Sequence, residues 1–248
     1  MVLLHAGVCD MRMWDALWPR LTAGHRAMRV DLRGFGGSPE PAGGGHCHAA
    51  DVAALIDHHG LGPAAVVGCS MSGRVALEVA VAEPHLVSRL VLVDSGLPDH
   101  HRSPLLEEYG AAEEAAIEAG DLEAAVEANL RMWVDGPQRS PGEVDPAVRE
   151  LVGRMQRRAF ELQLAQPDAE ERLLVPDIGS RLAEVAAPTL VVTGDLDVPD
   201  FLAIGRRLRA EIPNARAASI AGAAHLPSME RPDEFMRLLD GFLSAPIV

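Results

Sequence analysis

Residues 66–76, Val66-Val67-Gly68-Cys69-Ser70-Met71-Ser72-Gly73-Arg74-Val75-Ala76, narrow what this chain can become more than any other stretch. The segment opens as a β-branched run and continues into a helical pattern, Val75, Ala76, Leu77, Val79 and Ala80. Between them lies a turn of very small residues with a serine at its tip. A strand that reverses into a helix this sharply needs small residues two positions before and after the tip. The tip hydroxyl is then exposed, the N–H of Met71 points beside it, and the new helix adds the positive end of its dipole.

Two serines compete for the tip. With Ser70 there, the flanking small positions are Gly68 and Ser72. With Ser72 they are Ser70 and Arg74, and an arginine does not fit. The reading therefore selects Ser70 as nucleophile.

Composition removes several alternatives. At 248 residues, 48% of them hydrophobic, the chain suits one sizeable globular domain or one domain plus an insertion. A net charge of −14 disfavours nucleic acid or an anionic membrane surface as partner. All 22 basic residues are arginine. Without lysine there is no Schiff-base chemistry, no pyridoxal phosphate anchor and no Walker A loop. Three cysteines (Cys9, Cys47, Cys69) without framework spacing point to a reducing compartment, and the expected location is the cytoplasm. No apolar run is long enough to span a bilayer, and the start has no signal-peptide pattern.

Short apolar strands are expected at residues 2–4, 27–31, 66–69, 90–94, 189–193 and 215–220. They alternate with helices, including 48–59 and 232–243. That alternation predicts an α/β fold, a mostly parallel central sheet with helices on both faces. Residues 40–46 read as a Pro/Gly loop. Between 96 and 187 the alternation stops, and helices are expected at about 104–119, 121–134, 146–165 and 169–174. This stretch reads as a helical cap inserted into a core made of 1–95 and 188–248.

A serine needs a base and an orienting acid. His225 follows the sixth strand in Gly222-Ala223-Ala224-His225. Three acids stand at strand ends: Asp94 after the fourth, and Asp195 and Asp197 after the fifth. Catalytic groups in open α/β sheets gather at the carboxyl ends of strands, so these loops share one edge with Ser70.

The combination of His5-Ala6-Gly7, Asp31-Leu32-Arg33-Gly34-Phe35-Gly36-Gly37-Ser38, the Ser70 turn, Gly194-Asp195-Leu196-Asp197 and Gly222-Ala223-Ala224-His225 resembles the α/β-hydrolase superfamily. The resemblance is nearest to enol-lactonases, meta-cleavage product hydrolases and cofactor-free haloperoxidases. It implies a Ser70–His225–Asp197 triad, the acid falling on the last residue of the Gly-x-x-Asp segment, with some hydrolases of this fold using the Asp94 position instead. It also implies an oxyanion hole from the N–H of Met71 and of Gly7, with Val8 the second choice. The expected activity is hydrolysis of a small carboxylic ester or lactone through an acyl-enzyme, with no metal or organic cofactor. Alternatives are hydrolysis of an activated C–C bond, or a non-catalytic ligand-binding or signalling role. The sequence departs from the family pattern at Ser72, where G-x-S-x-G has glycine, and at Ala6, where His-Gly is usual. The antiparallel hairpin that relatives carry before the first strand is missing, so strand 27–31 is expected at a sheet edge, with homodimerisation as one outcome.

Other features have plainer readings. Asp31 and Arg33 are expected to pair and fix the Gly34–Gly37 turn. His46-Cys47-His48 lacks a matching distant pair of metal ligands. Cys69 is expected to be a buried small residue. Arg154, Arg157 and Arg158 share a helix face that is expected to be solvated, although such a face could hold a carboxylate.

Overall fold

The computed structural model describes residues 1–39 and 44–246. Its centre is a six-stranded sheet: β1 (Val2–Leu4), β2 (Met28–Val30), β3 (Ala64–Cys69), β4 (Val87–Val93), β5 (Thr189–Gly194) and β6 (Ala215–Ile220). The spatial order is β2-β1-β3-β4-β5-β6, and every neighbouring pair is parallel. All six strands fall where the apolar runs place them, and β2 stands at an edge.

Alternate side chains serve opposite faces, as strand geometry requires. Val2, Leu4, Val66, Leu90, Leu92 and Val191 join one core with α2 (His48–His58), α3 (Met71–Ala82) and α7 (Pro199–Glu211). Leu3, Val67, Cys69, Val91, Val93 and Val192 join the other with α1 (Trp18–Gly24) and α9 (Pro232–Ser244). Burial on both faces explains why the strands are continuously apolar rather than alternating.

Between β4 and β5 lie α4 (Pro104–Glu118), α5 (Leu122–Asn129) and α6 (Pro146–Leu164). The expected helix over 121–134 changes character at its end, where Leu130–Asp135 forms a π-helical turn. The expected helix over 169–174 does not form. Pro167 and Pro176 bracket that segment, and a proline biases its predecessor away from helix. Glu171 instead makes an isolated bridge with His46, and the N–H groups of Leu174 and Val175 donate to the buried Glu78 carboxylate at 2.6 and 3.1 Å. Arg74 joins Glu78 to Glu171, tying this strap to α3.

The expected Asp31–Arg33 pair is also replaced. Arg33 grips Asp51 on α2 (2.6 and 3.0 Å), and Asp31 accepts the N–H groups of Met11 (2.7 Å) and Gly37 (2.8 Å). A Cβ at Gly36 would sit 2.4 Å from that carboxylate, which is why glycine occupies the turn. Of the expected Pro/Gly loop, residues 40–43 lie outside the described residues.

Candidate active site

Ser70 sits between β3 and α3 with φ 56° and ψ −118°. It and Asp94 (φ 40°) are the non-glycine residues in the left-handed region among those described. Such a conformation costs roughly 1–3 kcal/mol and persists only where its surroundings enforce it. Enforcement is visible two residues upstream, where a Cβ on Gly68 would lie 2.2 Å from the Ser72 carbonyl oxygen. Ser72 itself is fully buried, and its hydroxyl donates to the His5 carbonyl. That bond leaves Ser70 as the serine of this turn whose hydroxyl faces the cleft, and it ties α3 to the loop after β1.

The three strand-end loops converge. His225 Nε2 lies 2.7 Å from Ser70 Oγ, and His225 Nδ1 lies 2.9 Å from Asp197 Oδ2. The other Asp197 oxygen accepts the Val198 N–H at 2.7 Å. The imidazole is 1% exposed and Asp197 is fully buried. With Nδ1–H donating to the carboxylate, Nε2 is left free to accept the serine proton, so the series can activate the hydroxyl and store its proton. The His225 loop is braced from behind: Glu230 accepts the Ala224 N–H at 2.8 Å and pairs with Arg139 at 2.7 Å.

Asp94 is close at hand but arranged differently. It is fully buried, and the Gly194 N–H donates to both its oxygens at 3.1 and 3.2 Å. Burial, then the neighbouring Asp197 charge that it hydrogen-bonds, pushes its carboxyl well above the usual range. That direction sets Asp94 apart as the carboxyl whose surroundings disfavour its charged form. Asp195 points elsewhere and accepts the Gly222 N–H at 2.7 Å, joining the two loops.

Beside the serine, Gly7 packs on Met71: a Cβ at Gly7 would be 3.6 Å from Met71 Cβ, an ordinary contact. The Ala6 carbonyl accepts both His5 Nδ1–H (2.8 Å) and the Cys9 N–H (2.9 Å). In a trans peptide the following N–H points the opposite way, so this pinning aims the Gly7 N–H away from His5. His5 Nε2 accepts the Leu32 N–H at 3.1 Å, fixing the neutral Nδ1–H tautomer; burial lowers its pKa accordingly. Gly7, Val8 and Met71 all line the same cavity as Ser70.

Two lobes meet at the serine. One, about 390 Å³, runs past Gly96, Leu97, Leu106, Phe201 and Ile204. The other, about 350 Å³, runs between Gly7, Val8 and Phe35 on the sheet side and Gln156 and Phe160 of α6. Both share Ser70, Met71, Tyr109, Glu113 and Trp133. Trp133 (ring centroids 4.6 Å) and Phe201 (4.4 Å) flank the His225 ring. Trp133 Nε1–H donates to the Tyr109 hydroxyl (2.9 Å), which donates to Asn129 (2.6 Å). The sequence reading missed Tyr109, Trp133, Phe201 and Gln156. One usable signal was rarity: the chain has a single tyrosine, and it lies in a stretch otherwise rich in Ala, Glu and Arg.

Other candidates lie apart. Arg154 and Arg157 pair with Glu150 and Glu123, and Arg158 lies 3.5 Å from Glu161, all on exposed helix faces as expected. His46 and His48 approach through their Nε2 atoms at 3.3 Å behind Phe35. Among the described residues no group of three or more His, Cys, Asp or Glu is placed to hold a metal ion. Cys69 is fully buried, as expected, and burial raises its thiol pKa.

The sheet, the strand-end loops and the sharp serine turn define an α/β-hydrolase. The family model described as alpha/beta hydrolase fold matches residues 1–232, and the chain belongs to that family. It is similar to the pimeloyl-acyl-carrier-protein methyl ester esterase of Aromatoleum aromaticum, with 30% identity over 97% of this chain and 96% of that protein. Among solved structures it is similar to Est816, an N-acyl homoserine lactone degrading enzyme (26% identity, TM-score 0.75, covering 97% of this chain and 92% of that one). The enol-lactonase of Burkholderia xenovorans LB400 shares the fold, at 24% identity and TM-score 0.79, covering 98% of this chain and 90% of that one. No helix among the described residues is long and apolar enough to cross a membrane.

Proposed function

We propose that this hydrolase cleaves small carboxylic esters or lactones through an acyl-enzyme on Ser70. The observation that carries the reading is the unbroken series from the strained Ser70 tip through His225 to Asp197, 2.7 and 2.9 Å per step, at the junction of two lobes. His225 takes the hydroxyl proton as Ser70 Oγ attacks the carbonyl carbon. The oxyanion sits between the N–H groups of Met71 and Gly7. His225 then protonates the leaving alkoxide, which in a lactone stays tethered to the acyl group. Water, deprotonated by the same imidazole, attacks the ester carbon, and Ser70 regains its proton as the acid departs. The segment 96–187 serves as a cap over the core of 1–95 and 188–248, closing the lobes above the serine. Three free thiols, two of them buried, suit a reducing cytoplasm. The ester-cleaving and lactone-degrading relatives favour the same substrate class.

A panel of short p-nitrophenyl esters and lactones tests this. Steady turnover is expected, with Ser70→Ala lowering kcat by about a millionfold. Ligand binding without turnover would instead favour a binding role.

A further inference from the structure

Helix α4 turns Leu106, Tyr109, Gly110 and Glu113 toward the cleft, at the i, i+3, i+4, i+7 spacing that an amphipathic helix keeps for apolar residues. Its other acids, Glu107, Glu108, Glu114 and Glu118, are exposed, and Glu113 is partly buried. Glu113 lines both lobes together with Ser70, Met71 and Trp133. Among the described residues no arginine or histidine pairs with it. Burial, then the Glu113 charge, pushes the Tyr109 phenol up, which sets the carboxylate close to that hydroxyl. A carboxylate facing the cavity in which an oxyanion forms opposes the chemistry, because like charges repel strongly where water is excluded. The lobe between Gly7 and Phe160 has no arginine in its wall to offset it, and its ionisable side chains are Glu113, Tyr109 and His225. Arg102 lines the other lobe and is exposed.

Resting on the ester or lactone reading above, we propose that Glu113 is a specificity residue that selects substrates carrying a positively charged amine. The cation supplies the countercharge that the wall lacks. It enters the lobe between Gly7 and Phe160, where Glu113 attracts it. The rings of Tyr109 and Trp133, which meet edge to face with centroids 5.3 Å apart, add the attraction of an aromatic face for a cation. The chain's net charge of −14 favours the approach of such a substrate. A carboxylate on the same chain is repelled, and a plain alkyl chain leaves Glu113 without a countercharge.

The test compares esters differing at one chain terminus: trimethylammonium, its neutral isostere tert-butyl, or carboxylate, placed in turn on the acyl and alcohol sides. Wild-type kcat/KM is expected to favour trimethylammonium about tenfold over tert-butyl on the side that enters this lobe, with the carboxylate worst. A morpholine ester, whose amine loses its proton near neutral pH, should outrun its cyclohexyl counterpart only while protonated. The trimethylammonium to tert-butyl ratio should stay flat over the same range. Glu113→Gln should erase the preference, and Glu113→Lys should turn it toward the carboxylate. Equal wild-type rates for trimethylammonium and tert-butyl on both sides would overturn the proposal. So would a cation preference that survives Glu113→Gln. Ranking the same compounds by equilibrium binding to Ser70→Ala reads the subsite separately from chemistry. A cation preference there, with no ester turned over by the wild type, would sink the hydrolase reading and leave the subsite standing.

Discussion

The strand-end loops under the cleft and the helices above it differ in how tightly each position is specified. Below, backbones approach so closely that side chains are excluded: a Cβ would come within 2.2 Å of backbone at Gly68 and 2.0 Å at Gly194. Above, α4 buries none of its residues, and Arg154, Arg157 and Arg158 spend their charges on exposed partners. The lower side holds reacting atoms to fixed positions, and the upper side supplies replaceable walls. Chemistry is therefore expected to be brittle to change below the cleft, and substrate choice to be adjustable above it.

The sharpest way to break this contrast lies within the lower side, at the paired acids. Asp197→Asn should lower kcat about ten-thousandfold, as loss of the orienting carboxylate does in a related triad. Asp94→Asn should keep at least a tenth of the activity, because Asp197 holds the imidazole and the amide oxygen at position 94 can still accept from Gly194. The sign of its pH effect is also set. A carboxyl whose pKa is raised on folding contributes stability in acid that is lost as pH rises past its unfolded value of about 3.8. The Tm of Asp94→Asn relative to wild type should therefore improve from pH 4 to pH 7. A collapse of activity at Asp94 with Asp197→Asn nearly intact would move the acid to the end of β4.

A smaller effect is expected at His48, where burial, then nearby His46 and Arg74, lowers the pKa to about 3. Between its unfolded value near 6.5 and pH 3, the unfolded chain binds a proton that the folded chain refuses. Stability then falls with falling pH by up to about 1.4 kcal/mol per unit. Denaturation of His48→Gln across that window should show a shallower acid slope than wild type; an identical slope would contradict the assignment. Ser72→Ala, which frees α3 from the His5 carbonyl, should cost less than tenfold in kcat. The loss is limited because both proposed oxyanion donors, the N–H groups of Met71 and Gly7, belong to the backbone. Least of all, Arg154→Ala on the upper side should change stability by no more than about 0.5 kcal/mol, measured by urea denaturation.

The same contrast explains what could be read from the sequence. The six strands, the Ser70 turn and the Asp197 and His225 loops were legible because each rests on local composition: an apolar run, a small-residue turn, a charged residue just beyond a strand. The choice among Asp94, Asp195 and Asp197 was not local. Composition left the three open, the family resemblance placed the acid at Asp197, and in the structure Asp197 meets the imidazole while Asp195 accepts from Gly222. Trp133 and Gln156 were illegible for a related reason. A π-helical turn re-aims the first, and α6 packing across the sheet-end loops gives the second its place. Helical periodicity carries neither fact. The misplaced helix at 169–174 and the misassigned partner of Arg33 came from weighing neighbours in sequence over Glu78 and Asp51, which are neighbours in space.

The most direct measurement is intact-mass and peptide-level mass spectrometry of the protein quenched in acid during turnover of an activated ester. The predicted result is a single added acyl group on the peptide containing Ser70, decaying as substrate is exhausted and absent from Ser70→Ala. Steady turnover with no acyl group detected under rapid quench, or an acyl group that persists in Ser70→Ala, would contradict an acyl-enzyme at this serine.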